Sequence, residues 1–158
     1  MKNWKVLVLM GSDSDMSTML HSKDFFDYFG IEVEYKVSSA HRNPVQTAEL
    51  AAKARDAGYS ALVCGAGMAA HLAGVCAAHT DLPVIGVPLA GGMMDGLDAL
   101  LSTVQMPRGI PVATVAVGKS GAVNAAILCA RMFSVTDKTI SDKLIQFAKN
   151  GSKIPTKQ

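Results

Sequence analysis

The chain has 158 residues, the size of a single domain able to bury about 70% of the surface its unfolded form exposes. Hydrophobic residues make up 49% and charged ones only 18%, too little charge to cover the whole surface, so burial of part of it between subunits is expected. A net charge of +2 with scattered Lys and Arg excludes a nucleic-acid footprint, and no apolar run reaches the ~18 residues needed to span a bilayer.

The predicted elements alternate short β-branched runs with longer helical ones, the pattern of a parallel sheet covered on both faces. Residues 5–10 form a buried strand, 11–15 its turn, and 16–29 a helix capped by Ser14 or Asp15 and ended by Gly30. A second strand spans 31–37. Pro44 opens a helix whose body runs 45–57 and stops at Gly58. A third strand covers 61–64, and Gly65-Ala66-Gly67 turns into a small-residue helix over 69–79. The fourth strand is 83–87, followed by a Gly- and Met-rich loop over 90–96 and a short helix over 97–105. A fifth strand over 112–117 precedes an apolar helix over 122–135 and a more polar one over 137–149. Residues 1–150 form one domain, and 151–158 are a tail, loose unless a neighbouring subunit holds it. Residues 1–5 lack the apolar core and cleavage site of a signal peptide. Cys64, Cys76 and Cys129 stand singly in apolar runs, as buried thiols do in a reducing compartment. A cytoplasmic protein is expected.

Three strand-ending turns carry chemistry, since strand ends of an open α/β sheet converge on one crevice. Ser39-Ala40-His41-Arg42-Asn43-Pro44 sets an imidazole that can move a proton near neutral pH beside a guanidinium that can grip a phosphate or carboxylate. A solvated loop pair is the plainer reading of these residues alone. Gly11-Ser12-Asp13-Ser14-Asp15 is neither a Walker loop nor a dinucleotide fingerprint, but its hydroxyls and helix N-terminus suit one phosphate. Asp15 would repel that phosphate and suits ribose hydroxyls instead; simple helix capping explains the motif equally well. In Gly65-Ala66-Gly67-Met68-Ala69-Ala70-His71, the glycines allow close approach of a ligand, and His71 lies where the helix dipole disfavours protonation. It is either a ligand-holding neutral histidine or a packed core one. His21 and His79 have no zinc-ligand spacing, so no metal is expected. Met93 and Met94 are core filler or a mobile lid. The small residues that follow Lys119 fit close helix packing, including across a subunit boundary.

The turns, together with Pro83-Val84-Ile85-Gly86-Val87-Pro88 and Ser102-Thr103-Val104-Gln105-Met106-Pro107, resemble the N5-carboxyaminoimidazole ribonucleotide mutase family of purine biosynthesis. The resemblance runs over 6–133. It implies a three-layer α/β/α, flavodoxin-like parallel sheet of about five strands, a homo-octamer, a small nucleotide substrate and no cofactor. The implied reaction moves a carboxylate from an exocyclic nitrogen to ring carbon C4, through carbon dioxide trapped beside the ring. His41 matches the catalytic histidine. Ser12, Asp15 and Arg42 match nucleotide-contacting positions, with Ser14, Ser39, Ala40, Ala66 and Gly67 in support. Ala70, His71 and Leu72 match a pocket segment whose histidine touches the carboxylate or the carbon dioxide. Met68, Ala73 and the loop over 89–96 depart from the family's pattern at the pocket rim. A sister class that carboxylates the free amine directly reads Ser-Ala-His-Lys at the second turn, so Arg42 favours the mutase class. A non-catalytic nucleotide- or flavin-binding module is the alternative of a different kind.

Overall fold

Successive side chains of a strand point to opposite faces, and in β1 (Lys5–Met10) this divides the core in two. Val6, Val8 and Met10 face one apolar cluster, and Leu7 and Leu9 face the other. The chain, a computed structural model describing residues 3–155, continues as α1 (Met16–Met19), α2 (Lys23–Phe29), β2 (Glu32–Val37), α3 (Pro44–Ala52), β3 (Ala61–Gly67), α4 (Leu72–His79), β4 (Val84–Leu89), α5 (Leu97–Val104), β5 (Ala113–Thr114), α6 (Lys119–Ser134) and α7 (Lys138–Lys149). The five strands pair in parallel in the order β2-β1-β3-β4-β5, the flavodoxin-like order, which reverses direction between β1 and β3.

The first cluster packs β1, β3 and β4 against Phe26 and Phe29 of α2, Ala122, Ala126 and Phe133 of α6, and Ile140 and Phe147 of α7. The second packs the opposite face against Ala51 of α3 and Leu72, Ala73 and Cys76 of α4. Burial on both faces explains why β1 and β4 are continuous apolar runs. Edge strand β2 is different: Glu32, Glu34 and Lys36 alternate along it and pair with each other or with Lys5, which keeps the edge polar. Among the described residues no helix is long and apolar enough to cross a membrane.

Several elements differ from their predicted bounds for identifiable reasons. The helix expected over 16–29 is interrupted by a 3-10 turn at Leu20–Ser22, where the buried Ser22 hydroxyl donates to the Met19 carbonyl at 2.6 Å. Gly30 ends the helix with φ 75°, as expected. The helix after Pro44 closes at Ala52, and hydrogen-bonded turns carry the chain on to Gly58. The fifth strand shrinks to Ala113–Thr114. On that side of β4, Pro88 accepts from the Gly118 amide at 2.8 Å but has no N–H to return, so the ladder stops. Gly65-Ala66-Gly67 is the end of β3 and not a turn: Gly65 pairs with Met10 on one side and Val87 on the other. The expected tail is fastened within its described part, because the Ser152 amide bonds the Phe147 carbonyl at 3.0 Å and half-buried Ile154 packs on the first cluster. Residues 1–2 and 156–158, which belong to the expectations for the two termini, lie outside the described residues.

Candidate active site

At the carboxyl end of β1, Asp15 stands at the N-cap of α1, one of the two positions expected, without a side-chain bond to that helix, and the 3-10 turn before it, Asp13–Asp15, is capped by Ser12. Ser12 is extended (φ −151°, ψ 155°), its Oγ accepts from the Ser14 amide at 3.4 Å, and the Asp15 carboxylate accepts from the Ser12 amide at 3.0 Å. This reciprocal box fixes the turn. It also leaves the Ser12 and Ser14 hydroxyls 2.9 Å apart on the cleft wall. Burial raises the Asp15 carboxyl above its ordinary range, and the bond from the Ser12 amide opposes that rise. Asp15 therefore both caps and lines the cleft, so the two readings of this motif do not compete.

The second turn is anchored from below. The Ser38 amide bonds the Met10 carbonyl at 2.9 Å, which holds the end of β2 against β1. Buried Ser38 meets the buried Thr47 hydroxyl at 2.8 Å, and Thr47 reaches the Asn43 carbonyl at 3.0 Å. Thr47 has one hydroxyl proton and a carbonyl to give it to, so Ser38 is the donor between the two hydroxyls. Ser39 ties the loop from above: its Oγ accepts from the Arg42 amide at 3.3 Å and its carbonyl from the Asn43 amide at 2.7 Å. Ala40 is buried beneath, which leaves His41 and Arg42 exposed at the tip. Arg42 forms no ion pair among the described residues and is the only Arg or Lys on the cleft wall.

The third wall begins where β3 ends. Met68, not a glycine, takes the left-handed conformation there, with φ 55°. Two tight turns follow, Ala70 amide to Met68 carbonyl at 2.9 Å and His71 amide to Ala69 carbonyl at 2.8 Å. They deliver His71 to the N-cap of α4, which starts at Leu72 and not at 69. The His71 ring lies 3.8 Å from the His41 ring, centroid to centroid, tilted by 34°. Burial, and then the adjacent His41, push the His71 imidazole below the ordinary histidine range, against the opposing bond with the Ala69 backbone. A neutral His71 beside an exposed His41 is the charge state this geometry favours, since two imidazolium rings in contact would repel.

These turns enclose a cleft of about 630 Å³ between the carboxyl ends of β1, β2 and β3. Ser12, Ser14, Asp15, Ser39, Ala40, His41 and Arg42 all line it, as do Ala66, Gly67, His71 and Leu72. Ala70 does not. It is buried, and its carbonyl faces the hydroxyl of Thr103 on α5, 3.3 Å away, so it supports the wall without reaching the cleft. Gly11, Met68 and Ala69 complete the walls, and Ala90 and Gly91, from the loop over 89–96 that the resemblance places at the pocket rim, form a fourth side. The available signal was positional: Leu89 pairs with Gly67, so the residues after each must meet. Met93 and Met94, expected as filler or lid, are exposed and do not line the cleft. The described residues contain no group of three or more His, Cys, Asp or Glu that could hold a metal. The cleft thus offers one fixed cation, a carboxylate, paired hydroxyls and two contacting imidazoles.

Comparison with known proteins gives these features a context. Residues 5–153 match the AIR carboxylase family. The chain is 50% identical over 143 residues to the N5-carboxyaminoimidazole ribonucleotide mutase of Pseudomonas aeruginosa, covering 90% of this chain and 88% of the relative. It is 48% identical to the Bacillus subtilis protein of the same name, again over 143 residues, with coverage of 90% and 88%. Its fold superimposes on the crystal structure of Treponema denticola PurE with a TM-score of 0.84 at 29% identity, over 94% of this chain and 91% of that one. Matched along nearly all of its length in both sequence and fold, the chain belongs to the AIR carboxylase family.

Proposed function

We propose that the protein is an N5-carboxyaminoimidazole ribonucleotide mutase, which moves the carboxylate of its substrate from the exocyclic nitrogen to ring carbon C4. The observation that carries this reading is the His41–His71 contact in a cleft whose one fixed cation is Arg42. Identities of 43–50% to relatives bearing that name, over about nine-tenths of the chain, support the same class.

The roles follow from charge and reach. Arg42 takes the 5′-phosphate with the Ser12 and Ser14 hydroxyls, and Asp15 accepts from the ribose hydroxyls. Ser39 and Ala40 hold the loop, while the Ala66–Gly67 backbone and Leu72 bound the base. His41 enters protonated and gives its proton to the exocyclic nitrogen as the carbon–nitrogen bond breaks and carbon dioxide leaves. Ring carbon C4 attacks the trapped carbon dioxide, and the now neutral His41 removes the C4 proton. The proton count closes on one residue and needs no cofactor. Neutral His71 donates a hydrogen bond to the carboxylate or to the carbon dioxide oxygens. Escape of carbon dioxide leaves a dead-end amine, so the cleft must exclude water.

The same reading covers assembly and compartment. The protein is a cytoplasmic homo-octamer in which residues 1–150 act as one domain. Exposed Leu97, Leu101 and Val104 at helical spacing on α5 support burial between copies.

The deciding assay compares freshly made N5-carboxyaminoimidazole ribonucleotide with aminoimidazole ribonucleotide plus bicarbonate. Conversion of the carbamate alone is expected, with His41→Asn lowering kcat by about 10³-fold or more. Preference for the free amine would instead assign direct carboxylation. Inactivity toward both substrates, with nucleotide or flavin still bound, would assign a binding module.

A further inference from the structure

Polar side chains are rare in the core of this protein, yet two of them, Ser38 and Thr47, flank the turn that carries His41. A buried hydroxyl destabilises unless it is paired, and alanine for Ser38 or valine for Thr47 would fill nearly the same space without that requirement. The pair occupies the two legs of the turn: Ser38 follows the end of β2, and Thr47 lies in the first turn of α3. Their hydroxyls meet at 2.8 Å, and Thr47 passes its own proton to the Asn43 carbonyl at 3.0 Å. Asn43 is the N-cap of α3 but makes no side-chain capping bond, so the usual fastening of a helix start is missing there. The bonds within 39–43 join the turn to itself, from the Arg42 amide to the Ser39 Oγ and from the Asn43 amide to the Ser39 carbonyl. Buried Ala40 seats the turn on the second cluster without tying its legs together. The His41 imidazole forms no hydrogen bond among the described residues, and its ring rests against that of His71, 3.8 Å between centroids. Its place is therefore set by the backbone that the two legs carry.

We infer that Ser38 and Thr47 are positioning residues for the reaction, their buried hydroxyl pair clamping the two legs of the turn so that the His41 ring is held at its distance from His71. The inference rests on the mutase reading above. Proton transfer is sensitive to placement, and a shift of about 1 Å can slow a reaction about 10²-fold. An imidazole hangs on two torsions and follows the backbone beneath it. The Arg42 guanidinium hangs on a longer, flexible chain and still reaches a phosphate from a displaced backbone. Loss of the clamp thus separates the two functions of the turn: it lowers kcat and leaves KM nearly unchanged. Neither hydroxyl lines the cleft, and neither moves a proton of the reaction.

The test measures kcat and KM with N5-carboxyaminoimidazole ribonucleotide for Ser38→Ala, Thr47→Val, the double variant and Thr47→Ser. The first three open the clamp, and each should lower kcat by about tenfold or more, with KM within about threefold of wild type. The two single variants differ in stability, since only Thr47→Val strands a buried donor, yet they should lose kcat alike. The double variant should lose no more kcat than either, because one clamp is lost once. Thr47→Ser keeps the hydroxyl and should bring kcat back to within about threefold of wild type. Asp137→Ala removes the cap of α7 beside Trp4, at the opposite end of the sheet, and should lower the thermal midpoint while leaving kcat unchanged. Labelling with ¹³C-histidine adds a readout without substrate. The cross-relaxation peak between the His41 and His71 rings should be present in wild type and Thr47→Ser and weakened in the three open forms. Wild-type kcat in both Ser38→Ala and Thr47→Val overturns the inference, and so does a Thr47→Ser variant no faster than Thr47→Val, or a ring peak unchanged in every variant. A wild-type enzyme that leaves the carbamate unchanged overturns the mutase reading instead, and the ring peak then still decides whether the clamp holds His41.

Discussion

The loop that carries His41 depends on a buried chain of two hydroxyls, and replacing Thr47 with valine should expose its strength. Ser38 and Thr47 are 1% and 0% exposed, so neither hydroxyl can turn to water. Thr47 donates to the Asn43 carbonyl at 3.0 Å and accepts from Ser38 at 2.8 Å. Thr47→Val keeps the side-chain shape but strands the Ser38 donor in an apolar setting. A buried unsatisfied group costs about 1–3 kcal/mol, so about 2 kcal/mol is expected, or about 4–8 °C in Tm for a chain of this size. Ser38→Ala leaves Thr47 its bond to Asn43 and should cost only about 1 kcal/mol. The double variant removes both hydroxyls. The Asn43 carbonyl still accepts from the backbone amide of residue 47 at 3.0 Å, so the total should stay near about 1 kcal/mol. The three variants form a cycle with a coupling of about 2 kcal/mol. Urea unfolding at one fixed protomer concentration measures it, since assembly would otherwise shift the midpoint. A double variant whose loss equals the sum of the single losses would refute the donor assignment.

Two further outcomes test the fold around the site. A Cβ added at Gly121 in α6 would lie 1.7 Å from the Ala116 carbonyl oxygen, so Gly121→Ala should destabilise by about 3 kcal/mol or more; a Tm within about 2 °C of wild type would contradict that packing. Glu34 is held down to about 2 from the usual 4.5, chiefly by the bond from Lys36 and then by that from Tyr59. A carboxyl lowered on folding adds stability above its unfolded pKa and loses it as pH falls through the folded one. The urea midpoint should therefore drop between pH 4.5 and about 2, and Glu34→Gln should flatten that drop; an unchanged slope would remove Glu34 from the account.

Much of this protein was legible before folding, and the readable parts share a physical cause. Hydrophobic period is local, so β1 appeared at 5–10 as it stands, and α6 and α7 appeared to within a few residues. Gly30 marked a helix end because a left-handed residue there needs no Cβ. The three turns were legible as strand ends rich in polar and small residues, and eleven of the twelve residues picked from them line one cleft. Other features were not local. Gly65-Ala66-Gly67 looked like a turn because glycine is the usual turn residue, yet Gly65 is paired in the sheet, and its glycine is explained by Met19, whose sulfur lies 2.6 Å from where a Cβ would be. The end of β5 depended on a missing N–H in the neighbouring strand, at Pro88.

The site divides in the same way. The residue types and their places at strand ends are written in the chain: an imidazole beside a guanidinium at 41–42, hydroxyls and a carboxylate at 12–15, and a second imidazole at 71. Only the tertiary structure decided that His71 stacks on His41 at 3.8 Å, that Ala70 turns away toward Thr103, and that Ala90 and Gly91 close the fourth side. Those facts come from the register and order of strands far apart in sequence, β2, β1, β3 and β4, and no local pattern of side chains encodes the distance between two loops that a sheet brings together.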